Sequence, residues 1–196
     1  MIPRHVQISF ALLLAGIFSV GFYMLSLKHR AETSTWHSTD STLLAPPVSA
    51  AAEPVTLYVA YDDLGVLRKR TTMVALPSET PARARTILRT LLTEYLQETS
   101  PHPIGAGSDV NDVYMVNQNL AVVDLNSTFA DTHRSGVWEE TLTVDSMIAT
   151  LSANIPEIKQ VKILVDGQER ETLAGHADLI TVYDASVVNQ LVQALQ

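Results

Sequence analysis

Apolar and polar side chains alternate from Val55 to Tyr61, with Val55, Leu57, Val59 and Tyr61 set against Thr56, Tyr58 and Ala60. Period-two alternation predicts a half-buried strand. Asp62-Asp63-Leu64-Gly65 carries turn chemistry, and Val66 to Leu76 reads as a second strand, so the first element is a hairpin closed by Pro77. The period then changes. Ala84, Ile87, Leu88, Leu91, Leu92, Tyr95 and Leu96 recur at steps of three and four, the stripe of an amphipathic helix. Thr80 is placed as its N-cap with Pro81 at the first helical position, and it ends near Glu98, before Pro101 and Pro103.

Gly105 to Asp109 reads as loop, followed by strands Val113 to Val116 and Leu120 to Leu125 around Asn117-Gln118-Asn119. Asn tolerates the left-handed backbone that a tight turn requires. Phe129 falls in a polar loop running to Gly136, and a second helix is expected from about Glu139 to Asn154. Val161 to Val165, apolar apart from Lys162, reads as a central strand. Asp166-Gly167 is a hairpin signal leading to a short return strand and a loop at Gly175-His176. Val187, Val188, Leu191, Val192 and Leu195 predict a terminal helix over Ala185 to Leu195. The expected class is α/β (α+β): a two-layer sandwich with one mixed sheet of about five strands packed by two main helices.

Val6 to Leu27 breaks this rhythm, for it contains no charged residue. Its 22 residues span about 33 Å as a helix, enough for a hydrocarbon core of roughly 30 Å. The segment is longer than a secretory h-region and Met24-Leu25-Ser26-Leu27 offers no small-x-small cleavage site, so an uncleaved signal anchor is expected. The organisation is then residues 1–5 cytoplasmic, 6–27 transmembrane, 28–53 linker and 54–196 a single domain. Arg4 and the α-amino group balance Lys28 and Arg30, leaving orientation tied on charge alone. Ser, Thr, Ala and Pro dominate the linker, whose flexible reach of roughly 25 Å keeps the domain near the bilayer.

From Pro54 onward ten Lys/Arg face eighteen Asp/Glu, a formal charge of −8. Such a domain repels phosphate backbones, which argues against nucleic acid as a partner. Arg68-Lys69-Arg70 is the one basic cluster and reads as a solvated strand face. The absence of Cys excludes a lipid-modified cysteine anchor and is compatible with an oxidising exterior.

No Walker loop, Gly-x-Ser-x-Gly elbow, His-Glu-x-x-His or Cys pair occurs. Six positions stand as candidates for binding: Trp138, Asp166, Gly167, Gly175, His176 and Asp178. Each has a structural reading beside the functional one. Asp166-Gly167 and Gly175 suit backbone turns, Asp178 and His176 suit loop caps, and Trp138 is either a staple over the core or an exposed anchor. His176 with Asp178 falls short of the three or four ligands a zinc site needs, so no metal and no cofactor is expected. Asp124 and Asp166 at strand ends, and Asp131, His133 and Ser135 in one loop, are read as turn and loop groups rather than acids, bases or a triad.

Four blocks together resemble the GerMN domain: Gly65-Val66-Leu67 to Pro77 with the first helix; Leu120-Ala121-Val122-Val123-Asp124-Leu125-Asn126-Ser127-Thr128-Phe129; Ser135-Gly136-Val137-Trp138-Glu139-Glu140 with Ser146 to Leu151; and Leu164-Val165-Asp166-Gly167 with Leu173 to His176. The resemblance covers roughly Val55 to Ile180 in a single copy. It departs from the pattern at Asn117-Gln118-Asn119, where a Gly-containing turn is usual, and at Ser135, where a second Gly is common. It implies a sporulation- or germination-type domain on the outer side of the cytoplasmic membrane. It also implies a non-enzymatic module that contacts an envelope protein or cell-wall material, with oligomeric state open. The alternative is a cell-wall-directed enzyme or small-ligand receptor with its site near the Gly-His loop. The two differ in whether Asp124, His133, His176 and Asp178 converge on one pocket.

Overall fold

The computed structural model describes residues 51–194. The anchor expected at 6–27 lies outside the described residues, as does most of the linker at 28–53. Among the described residues no helix is long and apolar enough to cross a membrane.

β1 (Ala52–Tyr61) and β2 (Val66–Ala75) pair antiparallel from Ala52↔Ala75 to Tyr61↔Val66. α1 (Thr80–Tyr95) follows, and its buried face is the expected one: Ala84, Ile87, Leu88, Leu91, Leu92 and Tyr95. Its N-cap is Glu79 rather than Thr80, with no side-chain bond to the first turn, and Pro81 in that turn presets the helical φ. β3 (Val110–Val116) and β4 (Leu120–Leu125) form the second hairpin. Its turn takes positive φ at both Asn117 (52°) and Gln118 (65°).

The stretch expected as a polar loop after β4 holds a short helix, α2 (Ser127–Asp131). Asn126 caps it, accepting from the Phe129 N–H at 2.9 Å, and the turn drives the Phe129 ring fully into the core. α3 (Val137–Asn154) begins two residues before the expected start. It crosses to β5 (Gln160–Val165), which runs parallel to β4; β6 (Tyr183–Asp184) adds antiparallel to β5, and α4 (Ala185–Ala194) follows.

The strands therefore divide between a four-stranded mixed sheet, order β3-β4-β5-β6, and the separate β1-β2 hairpin. One sheet of about five strands was the expectation. The reason for the division is polar and lies on α3. Thr143, Ser146, Thr150 and Asn154 recur at steps of three and four along one stripe of that helix. Asn154 grips Thr56 by both its N–H (2.9 Å) and its carbonyl (2.7 Å), and Thr150 accepts the N–H of Tyr58 at 2.9 Å. Ser146 accepts from the Tyr95 hydroxyl, which itself accepts the N–H of Ala60 at 3.0 Å. Backbone groups that would bond a neighbouring strand are thus satisfied by side chains of α3 and α1. One continuous apolar core runs beneath, with Leu57, Leu67, Leu91, Val123, Phe129, Leu142, Met147 and Ile163 among its members.

Candidate functional site

The segment from Glu171 to Val182 carries little regular structure, so its backbone groups need partners from elsewhere. Two buried charges supply them. Glu140, in the first turn of α3 and wholly buried, accepts the N–H groups of Ala174, His176 and Ala177, each at 2.9 Å. Its other oxygen meets His176 Nδ1 at 2.9 Å and the Gly136 N–H at 3.2 Å. Burial opposes its charge, but these donors outweigh burial and hold the carboxyl down at about 2. Lys162 of β5, almost as buried, reaches the carbonyls of Leu179 (2.9 Å) and Ile180 (2.5 Å) and pairs with Glu169 at 3.0 Å. The anion takes the donors and the cation takes the acceptors, so an irregular loop becomes a fixed wall.

Five of the six sequence candidates prove to bear on this wall or on the turn below it. Asp166 (φ 47°) and Gly167 (φ 72°) form the expected two-residue turn, closed by reciprocal bonds between Val165 and Gln168. The return strand expected after it shrinks to the single bridge Val165↔Gln168. Asp124 Oδ1 accepts the Gly167 N–H at 2.7 Å, and Asp166 Oδ1 accepts from the Ser127 N–H and the Asn111 amide at 3.2 Å. Asn111 is the residue at the β3 bulge, which turns its side chain toward both carboxylates. Gly175 takes φ 126° in the loop, and Asp178 caps its own turn, accepting from the Ile180 N–H at 2.7 Å. The Thr181 hydroxyl bond, with those N–H groups, holds the Asp178 carboxyl below its ordinary range. Trp138 is 60% exposed and so is not a staple over the core.

Asp124, His133, His176 and Asp178 do not converge as a set: His176 and Asp178 line one cleft, Asp124 and His133 do not line it, and each of the four is committed to a different partner. His133 belongs instead to a buried chain that sequence inspection missed. Its Nδ1–H donates to the Arg134 carbonyl (2.8 Å), and the Thr143 hydroxyl, which donates to the Glu139 carbonyl at 2.9 Å, lies 2.7 Å from His133 Nε2 and 2.6 Å from His102 Nε2. His102 Nδ1 lies 2.5 Å from Asp62 Oδ1. Burial holds the His133 pKa below its ordinary value. Asp62, His102 and Thr143 follow the carboxylate–imidazole–hydroxyl order of a nucleophilic relay, but Thr143 is fully buried and no substrate reaches its oxygen. Among the described residues, no group of three or more His, Asp or Glu is placed to hold a metal.

A cleft of about 460 Å³ opens beside the Glu140 wall, between α3, the 176–184 segment and α4. His176 and Asp178 line it, together with Asp145, a residue that sequence inspection passed over as one more polar position on a helix. Asp145 is only 5% exposed, and burial alone pushes its carboxyl up to about 6.

The model of the family described as Germane, sporulation and spore germination, matches residues 56–171. No curated protein matches the sequence. Among solved structures, the chain is similar to a candidate lipoprotein from Clostridium perfringens (19% identity, TM-score 0.47, 68% of this chain and 88% of that one). It is also similar to the tandem GerMN domains of the sporulation protein GerM from Bacillus subtilis (21%, 0.48, 67% and 45%). The first GerMN domain of that protein matches at 20% identity and TM-score 0.45, over 66% of this chain and 94% of that one. This chain thus spans less than half of the tandem protein. With more than half of its length matched by the family model, the chain belongs to the Germane (GerMN-domain) family, in a single copy.

Proposed function

We propose that this protein is a membrane-anchored extracytoplasmic binding or assembly module of the cell envelope, of the kind used in spore-type assemblies, and that it works without catalysis. Membership of a sporulation and germination family carries the reading. The apolar segment Val6–Leu27 supports the anchor, and the polar linker after it supports a domain held near the bilayer, on its outer side. The polar groups of the domain support a scaffold role. Glu140, Lys162, Asp124 and Thr143 are spent on backbone and side-chain partners that fix loops. In the alternative reading the cleft beside His176 is the mouth of a small-ligand receptor, and its volume is in the range of ligand pockets.

The test is photo-crosslinking in the native cell, with a photoreactive residue replacing exposed Trp138 or Leu191 in the full chain. Discrete crosslinks to envelope proteins from the outer face of the membrane are expected. Release of products from purified cell-wall material by the full chain would sink the non-catalytic reading. A reporter placed in the linker that reads as cytoplasmic would sink the topology.

A further inference from the structure

Asp145 has no hydrogen-bond partner among the described residues; burial is the only influence on its carboxyl, although it is 95% removed from solvent. An unpaired, largely buried carboxylate costs stability, and Asp145 lines the cleft. The other walls of that cleft are mostly apolar: Val144, Val182, Tyr183, Val187, Val188 and Leu191. Asp178 and Asp184 add negative charge at its edge, and no Lys or Arg lines it. The apolar surface also continues outward. Val182, Val187 and Leu191 are each more than two-fifths exposed, and Trp138 sits on the same face of α3 as Thr141 and Asp145, at helical steps of three and seven.

We propose that this cleft is the partner-binding site of the module, and that it takes the lysine or arginine side chain of a partner polypeptide. The cationic head pairs with Asp145, and the partner's flanking apolar residues lie on Val182, Val187, Leu191 and Trp138. The inference rests on the binding-module reading above and gives that module a recognition chemistry. A cation is required because a neutral donor leaves the Asp145 charge uncompensated. A polypeptide is required because the apolar rim reaches well past what an isolated amine touches. Lys162 cannot serve as the internal counterion, for its head is held on the Leu179 and Ile180 carbonyls and Glu169.

The experiment is a display selection from random twelve-residue peptides on the full chain, held in a mild non-ionic detergent, followed by affinity measurement of the selected peptides. A consensus of one Lys or Arg flanked by apolar residues is expected. Asp145→Asn lowers its affinity by about tenfold or more, Leu191→Ser at the exposed rim lowers it several-fold, and Lys→norleucine in the peptide mimics Asp145→Asn. Thermal unfolding of Asp145→Asn confirms that the variant is folded. A selection without a basic consensus, or a consensus that binds Asp145→Asn equally well, overturns the proposal. Displacement of the peptide by micromolar hexylammonium overturns the polypeptide assignment in favour of a free amine. In-cell crosslinks that persist in Asp145→Asn leave the module reading standing while this site fails.

Discussion

The carboxylate of Glu140 and the imidazole of His176, 36 residues apart in sequence, meet at 2.9 Å, and the same carboxylate also takes the His176 backbone N–H. The first turn of a helix and an irregular loop are thereby fixed to one another through a single buried anion. Replacing Glu140 with Gln swaps one acceptor oxygen for an amide that opposes loop N–H groups. A loss of about 3 kcal/mol at pH 7 is expected by urea unfolding, with hydrogen-exchange protection lost at Ala174, His176 and Ala177. His176→Ala keeps the backbone donors and costs about 1 kcal/mol.

The pH dependence of that clamp has a definite sign. The folded Glu140 carboxyl, at about 2, lies below its ordinary value of 4.5, so its stabilisation is complete above that value. It is lost as pH falls from there toward 2. Acid unfolding of Glu140→Gln should lack this component.

Asp145 carries the opposite sign. Its carboxyl is raised from 3.8 to about 6, so the folded state binds the proton more tightly, and the resulting loss of stability builds as pH rises from 3.8 and is complete above about 6. The groups facing it across the cleft are His176 and Asp178 from the loop and Tyr183 and Asp184 from β6; none of these carries a fixed positive charge. Asp145→Asn should therefore raise stability by about 1–2 kcal/mol at pH 7, with the gain fading by pH 4. Chemical unfolding of both proteins at several pH values decides it. A variant less stable than the parent at pH 7 would refute the assignment.

Thr143 joins two histidines from different loops through one hydroxyl. Thr143→Val leaves both Nε2 atoms buried without that partner and should cost about 2–3 kcal/mol, while Thr143→Ser restores most of it. Equal stability of the two variants, measured by thermal unfolding, would show that the bridge is dispensable.

Gly167 and Gly175 are predicted to resist substitution unequally. At φ 72°, Gly167→Ala should cost about 1 kcal/mol, while φ 126° at Gly175 lies farther from any well open to alanine and should cost about 2 kcal/mol. Space does not decide it, since a Cβ at Gly167 meets nothing within 4 Å and one at Gly175 meets Ser135 Oγ at 3.5 Å.

Turns that depend on a residue's own backbone preference were readable in the chain, which is why Asp166-Gly167 and Asn117 fell where expected. The stripe of α1 was readable for a similar reason: period and burial agree along it. The polar stripe of α3 was not. Thr143, Ser146, Thr150 and Asn154 look like a solvated helix face until the two histidines are placed against Thr143 and β1 against the other three, a pairing that spans up to 98 residues of sequence. Glu140 and Asp145 were hidden likewise, because a carboxylate on a helix reads as exposed when the loop or cleft it serves lies three or more turns of chain away. Phe129 alone hinted at α2, and a single aromatic among polar residues cannot distinguish a turn of helix from a loop.

The side-chain ladder that α3 lays along β1 also governs what can join this protein edge to edge. With Thr56, Tyr58 and Ala60 already bonded, β1 offers no template for an incoming strand. Strand addition from another molecule is left to β2, β3 and the two-residue β6 among the described residues. At β2 it must approach the exposed cations Arg68, Lys69 and Arg70, which deter a second copy of the same strand by charge. Asn154 and Thr150, with Ser146 acting through Tyr95, thus make this helix a guard against self-templated aggregation.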